Sequence, residues 1–399
     1  MRRILDRVEE KWFDGKSRWR RWFPLYEAVD TFLYTPGTVT RTAPHIRDAM
    51  DLKRMMVTVV IALVPSVLMA LYNTGLQANL AISQAGASPL PGWRAEVVQL
   101  LGLGFSPDSI LDCAVHGMMY FLPLYILTMI VGGAWEVLFA VVRGHEISEG
   151  FLVTGLLFPL ILPPTLPLWM AAVGITFGVV LGKEVFGGVG MNIVNPALAG
   201  RMFLFFAYPL NFSSADAWIA VDGFSRATPL AQLADPTLSL SVSWKDAFLG
   251  FIPGSMGETS VVACLFGALV LILTGVGSWR IMAAVWTGAV GTALFFNLVG
   301  SATNPMFALQ PHWHLVLGGL MFGTVFMATD PVSAAMTNPG RVIYGLLIGV
   351  MVILIRVVNP AFPEGIMLAI LFGNITAPVI DRLVINANIK RRMIRYGLR

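Results

Sequence analysis

Gly155-Leu156-Leu157-Phe158-Pro159-Leu160-Ile161-Leu162-Pro163 is an apolar run that closes on Pro163 and Pro164 before the chain has covered the roughly 20 residues a spanning helix needs. Its spacing, Gly-x-x-Phe-x4-Pro, returns as Gly323, Phe326 and Pro331, 168 residues later. Gly174-x3-Gly178 returns as Gly345-x3-Gly349, and Asn195-Pro196 as Asn359-Pro360, in the same order. Five apolar spans separate each pair, so the two halves run in opposite directions. The fold expected is an all-α integral membrane protein of about ten transmembrane helices, arranged as an inverted-topology five-plus-five repeat with broken helices. Irregular backbone at membrane depth is tolerated only where it is buried in protein or lines a cavity. The short third and eighth spans, ending at Pro163-Pro164 and Asp330-Pro331, are therefore the expected breaks.

Composition agrees with a membrane protein. Of 399 residues 56% are hydrophobic and 13% charged, too apolar for an ordinary water-soluble globule. The spans read from the sequence are 55–74, 115–142, 150–163, 166–186, 192–209, 260–277, 280–299, 312–328, 342–358 and 364–382. Of 27 Lys and Arg, 12 lie in residues 1–54 and 6 in residues 381–399, which puts both termini on the cytoplasmic side. Arg143, Lys183, Arg201, Arg280 and Arg341 then fall at cytoplasmic span ends. The parts expected are a basic, amphipathic N-terminal segment over 1–54, a first repeat over 55–209, a periplasmic loop over 210–259, a second repeat over 260–382 and a basic tail over 383–399. In the first of these, Trp12, Phe13, Trp19, Trp22 and Phe23 alternate with Lys11, Lys16, Arg18, Arg20 and Arg21, a pattern suited to a lipid surface and not to nucleic acid. No signal peptide is evident. Cys113 and Cys264 are too far apart for a Cys-x-x-Cys metal site, and His312 and His314 lack the i, i+4 helical spacing of a ligand pair. His45, His116 and His145 are isolated.

Four groups of residues have chemistry to offer. In the external loop, Asp222-Gly223-Phe224-Ser225-Arg226-Ala227-Thr228-Pro229 reads as a turn, with Thr228 as a helix N-cap and proline at the first helical position. A phosphate on that hydroxyl would lie where a helix start favours negative charge, and Arg226 could pair with it. Gly187, Gly188, Asn192 and Asn195 interrupt the apolar pattern ahead of the fifth span. They suit either a plain re-entrant connection or amide contacts to a flat heterocycle. Gly132, Gly133 and Glu136 share one helix face, either for packing or because an acid inside a membrane helix marks an ion path. Asp330 and Asp381 are either local caps or members of a carboxylate ring around a cation.

Asp222, Ser225, Ala227 and Thr228 resemble the flavinylation motif Asp-x-x-Ser/Thr-Gly-Ala-Thr/Ser, with Arg226 where glycine is usual. Tyr34-Thr-Pro-Gly-Thr-Val-Thr and the stretch from Ala43 to Arg54 resemble the N-terminal region of the NqrB/RnfD family, in the branch found in sodium-translocating NADH:quinone oxidoreductases. The likeness continues to the C-terminus. That family implies FMN carried covalently on Thr228, attached by a flavin transferase on the periplasmic side. It also implies a non-covalent riboflavin, assigned here to Gly187, Gly188, Asn192 and Asn195, and ubiquinone near Gly132 and Gly133. Sodium uptake maps to Glu136, Asp330 and Asp381. The implied partners are the A, C, D, E and F components of the Nqr complex, and the implied setting is the bacterial inner membrane. The related RnfD component of ferredoxin:NAD oxidoreductases has a shorter N-terminal region than residues 1–54. A channel or carrier for small neutral solutes is a reading from another class, since transporters also use inverted repeats. A purely structural scaffold would have no use for the external Thr228 or the three acids.

Overall fold

A computed structural model describes residues 2–13, 20, 22–34, 52–144, 147, 150–222, 224, 226–234, 240–359 and 364–397. Gly223, Ser225, His45, His145 and residues 35–51, which carry much of the N-terminal likeness, lie outside that set. Within it the chain is predominantly helical. Two helices, α1 (Arg2–Trp12) and α2 (Phe23–Leu33), precede the long α3 (Leu52–Ala85). α2 packs against α5, the second long helix (Ile110–Arg143), and α4 (Trp93–Leu100) lies between α3 and α5. α5 starts at Ser109, whose hydroxyl accepts from the Asp112 N–H, and stops at Gly144 in the left-handed region, φ 71°.

The decisive stretch is α6 (Gly150–Leu160). It ends at the Pro163-Pro164 turn, and its side chains from Leu156 to Leu160 are buried. α7 (Leu168–Val180) continues through a short turn to Phe186, and α8 (Pro196–Ala207) begins where the Asn195 side chain accepts from the Ala197 and Leu198 N–H groups. The long connection to the next apolar helix carries α9 (Leu210–Ser213), α10 (Pro229–Ala234) and α11 (Trp244–Leu249). There β2 (Val221–Asp222) pairs antiparallel with β1 (Ser88–Pro89), a tie with no counterpart in the sequence reading. α12 (Val261–Leu273) and α13 (Trp279–Val299) follow.

The expected eighth span is three pieces. α14 (Pro311–Val316) stops at Leu317, Gly318 turns the chain with φ 66°, and α15 (Leu320–Phe322) runs into a wide π turn over Gly323–Met327. α16 (Asn338–Val358) and α17 (Ile366–Arg395) complete the chain, so the basic tail is the continuation of the last helix. Helices stand at all ten expected positions. Six are long and apolar enough to cross a membrane: α3, α5, α7 with its extension, α13, α16 and α17. α6, α8 and α12 are apolar but shorter. The main core cluster centres on the two broken elements, with Phe158 and Leu160 from α6 and Phe322, Val325 and Phe326 from the α15 segment.

Helix spacing follows from small residues. Gly75 of α3 and Gly117 of α5 leave no room for a methyl between the two backbones, and Gly349 of α16 lies against Val285, Gly288 and Ala289 of α13.

Candidate functional site

Two polar regions stand apart in the molecule. At the first, Thr228 is 6% exposed, and its hydroxyl accepts from the Ala231 N–H at 3.3 Å. The Ala227 carbonyl accepts from Gln232, and Asp222 is exposed on β2, opposite Ser88. Arg226 donates to the Ser241 hydroxyl at 2.7 Å, so its guanidinium is committed to Ser241. α10 starts at Pro229 with Thr228 as its N-cap, as expected, but with six residues it has little macrodipole to favour a phosphate. As a hydroxyl acceptor on an outer turn, Thr228 fits a covalent phosphoester.

Beneath Thr228 is a small cavity lined by Ser255, Glu258, Thr259, Gly318 and Glu364. Arg201 of α8 bonds three of its lining residues. One guanidinium nitrogen donates to Glu258 at 3.0 Å; another donates to Ser255 at 3.1 Å and Glu364 at 2.7 Å. Arg356 of α16, fully buried, donates to the carbonyls of His314, Leu317 and Glu364. These bonds fasten the break between α14 and α15 to the start of α17. Glu258 lies ahead of α12, outside the spanning helices. Burial pushes its carboxyl up to about 7, against the lowering pull of Arg201. Arg201 was expected at a span end; it is instead a buried ion-pair centre.

The second region is a cavity lined by Met55, Val59, Thr154, Lys183, Asn192, Asn195, Phe326 and Asp330, among others. Apolar walls with a few amide and hydroxyl groups suit a flat heterocycle. Gly187 and Gly188 are not among its lining residues. Their φ angles of 125° and 94° instead shape the turn ahead of it. Asn192 donates to the Val194 carbonyl, and Asn195 spends its side-chain oxygen on α8.

Glu136 and Lys183 form an ion pair, with side chains 5% and 3% exposed. Lys183 is also 3.9 Å from Glu184, which Arg143 holds at 3.4 Å. Asp330 accepts from the Val332 N–H and the Ser333 hydroxyl. Asp381 accepts from the N–H groups of Met336 and Thr337 and from the Thr337 hydroxyl, capping the approach to α16. Among the described residues no three His, Cys, Asp or Glu side chains are grouped to hold a metal ion. Gly132 packs under the Phe151 ring and Ile175, a helix-packing contact, while Gly133 only grazes Phe151. His116 bonds to Asn79, and His312 sits between Trp244 and Trp313.

The sequence reading missed the pairing of Lys183 with Glu136 and the Arg201 network. A signal for the second existed. A helix starting at Asn195-Pro196 puts Arg201 in its second turn, where a charge demands a partner.

The profile of the NQR2, RnfD, RnfE family matches residues 39–390. A Pseudomonas aeruginosa protein, named as the B subunit of the Na(+)-translocating NADH-quinone reductase, is 57% identical over 403 residues, covering 100% of both chains. A protein of the same name from Azotobacter vinelandii is 57% identical, with 99% of each chain covered. Another, from Chromohalobacter salexigens, is 55% identical, covering 99% of this chain and 96% of its own.

Proposed function

The chain belongs to the NQR2, RnfD, RnfE family, and on that premise we propose that it is the NqrB component of a bacterial sodium-translocating NADH:quinone oxidoreductase. The observation that carries this reading is the end-to-end match, at 57% identity, to a protein bearing that name. The relatives' names favour it over the RnfD component of a ferredoxin:NAD oxidoreductase and over a solute channel.

In this reading Thr228 tethers FMN at the periplasmic end, with Asp222, Ser225 and Ala227 as the sequence motif a flavin transferase reads. Asn192, Asn195 and Thr154 hold riboflavin in the second cavity, and ubiquinone docks near Gly132 and Gly133. When bound, these groups supply the electron transfer, and the protein supplies their placement and electrostatics. Thr228 fixes one of them by a covalent bond. Phe326 and Val59 exclude water from the other, and the Asn192 and Asn195 amides orient it. Sodium, the cargo, enters past Glu136, Asp330 and Asp381 as separate stations. The A, C, D, E and F components of the Nqr complex complete the enzyme in the inner membrane.

Contacts support the ten-span inverted repeat. In span order α3, α5, α6, α7 and α8 answer to α12, α13, the α14–α15 element, α16 and α17. α5 packs on α7 as α13 packs on α16; α7 on α8 as α16 on α17; α3 on α6 as α12 on α15. α3 meets α12 and α8 meets α17 across the two halves. Polar contacts also sort by end. Thr165–Ala217 and β1–β2 join connections read as periplasmic, while Arg143–Glu184 and Asp381–Met336 join connections read as cytoplasmic.

The test is to express the chain with its partner proteins and a flavin transferase, denature it and look for flavin fluorescence on the gel band. The peptide containing Thr228 should gain the mass of FMN less water. An unmodified Thr228 under conditions that flavinylate a known acceptor would remove the central claim.

A further inference from the structure

Lys183 is the only basic residue lining the second cavity, and Asp330 is the only acidic one, among the described residues. Glu136, with which Lys183 pairs, is equally buried. One ammonium therefore pairs with Glu136, approaches Glu184, and shares a cavity with a third carboxylate, Asp330, that it does not pair with in the structure. Among the described residues no Lys, Arg or His nitrogen lies within 4 Å of the Asp330 carboxylate, whose polar contacts are the Val332 N–H and the Ser333 hydroxyl. Arg341 shares an adjoining cavity with Asp330, but its Nε donates to the Ala335 carbonyl. Glu184, the other acid near Lys183, already has Arg143.

A buried ion pair is weak evidence of stability, because desolvation of both charges offsets their attraction. A lysine, moreover, is a compact point charge on a flexible four-carbon stem, able to exchange one acceptor for another nearby. We infer that Lys183 is a tethered cation that competes with sodium for Glu136. Its ammonium occupies Glu136 when the pathway is empty, and turns into the cavity toward Asp330 when sodium takes its place. The incoming sodium charge is matched by Asp330, which has no cation partner among the described residues before the exchange and gains the ammonium after it. Lys183 is then a positioning residue. The inference rests on the sodium reading above and deepens it.

The assembled complex tests both. Quinone reduction is measured against sodium at constant ionic strength, with potassium as the replacement. Lys183→Met removes the competitor, and half-maximal stimulation should then need about tenfold less sodium, the equivalent of one charge-assisted hydrogen bond. Turnover should fall at the same time, because nothing expels the ion. In wild-type complex, a small amine-acylating reagent followed by mass spectrometry should modify Lys183 several-fold more in sodium than in potassium. That measurement stands even where Lys183→Met fails to assemble. Turnover in wild-type complex that is indifferent to sodium would overturn the sodium reading and this inference together. Sodium-dependent wild type, with unchanged half-saturation in Lys183→Met or equal acylation in both salts, would overturn the inference alone.

Discussion

Arg201 carries its charge with a side chain only 1% exposed, and it satisfies two carboxylates that are 57 and 163 residues away in sequence. Such a residue is worth more as a partner than as a cation. Arg201→Leu keeps an apolar stem but leaves Glu258 and Glu364 facing each other, and breaking a buried pair in this way costs about 3–5 kcal/mol. Thermal denaturation of the purified protein should show a clear loss of melting temperature. Arg201→Leu combined with Glu258→Gln should recover much of it, because the remaining Glu364 carboxylate still faces the buried Arg356 charge. A double variant no more stable than the single one would show that Arg201 acts through packing. In sequence, a buried arginine and a span-end arginine look alike, and only the helix start at Asn195-Pro196 distinguishes them. The same holds for Lys183, whose acceptor lies on a helix 47 residues earlier.

At the scale of elements, the apolar runs were legible because a spanning helix leaves its length in composition. Gly155 to Pro163 and Gly323 to Pro331 announced their breaks through proline and glycine. What could not be read was how closely neighbours approach. The glycines of α3 and α5 look ordinary in sequence, yet Gly75 and Gly117 meet backbone to backbone. A methyl on Gly117 points at the Leu71 carbonyl, which has no flexible side chain to yield. Gly117→Ala should separate α3 from α5 and lower the yield of folded protein in detergent, whereas Gly291→Ala on α13, with open space around it, should not. Equal yields for the two variants would contradict this packing. β1 and β2 were beyond sequence reasoning altogether, since a pair of two-residue strands, one of them ending in proline, has no periodicity to detect.

For the whole molecule, the proposed topology, argued from charge asymmetry, has both termini on one side and the Thr228 loop on the other. The background for testing this is clean, because Cys113 and Cys264 are both buried. Cysteine introduced at the exposed Asp108, in the connection read as periplasmic, should react with a membrane-impermeant maleimide on intact cells. Cysteine at the exposed Lys390 on α17 should react only after permeabilisation. The opposite pattern would invert the assignment of every loop. α3 gives that topology a mechanical side. Near its start Met55 and Met56 wall the second cavity, and at its far end Ala78, Ala81 and Ile82 pack on Ile219 and Val221, the latter in the strand that leads into the Thr228 turn. β1, three residues beyond α3, is bonded to that same strand. A 34-residue helix is a strut of about 50 Å, notched here by Pro65 in its middle. One continuous piece of backbone is thus anchored in both chambers, and a tilt at either end is geometrically a displacement at the other unless the notch absorbs it.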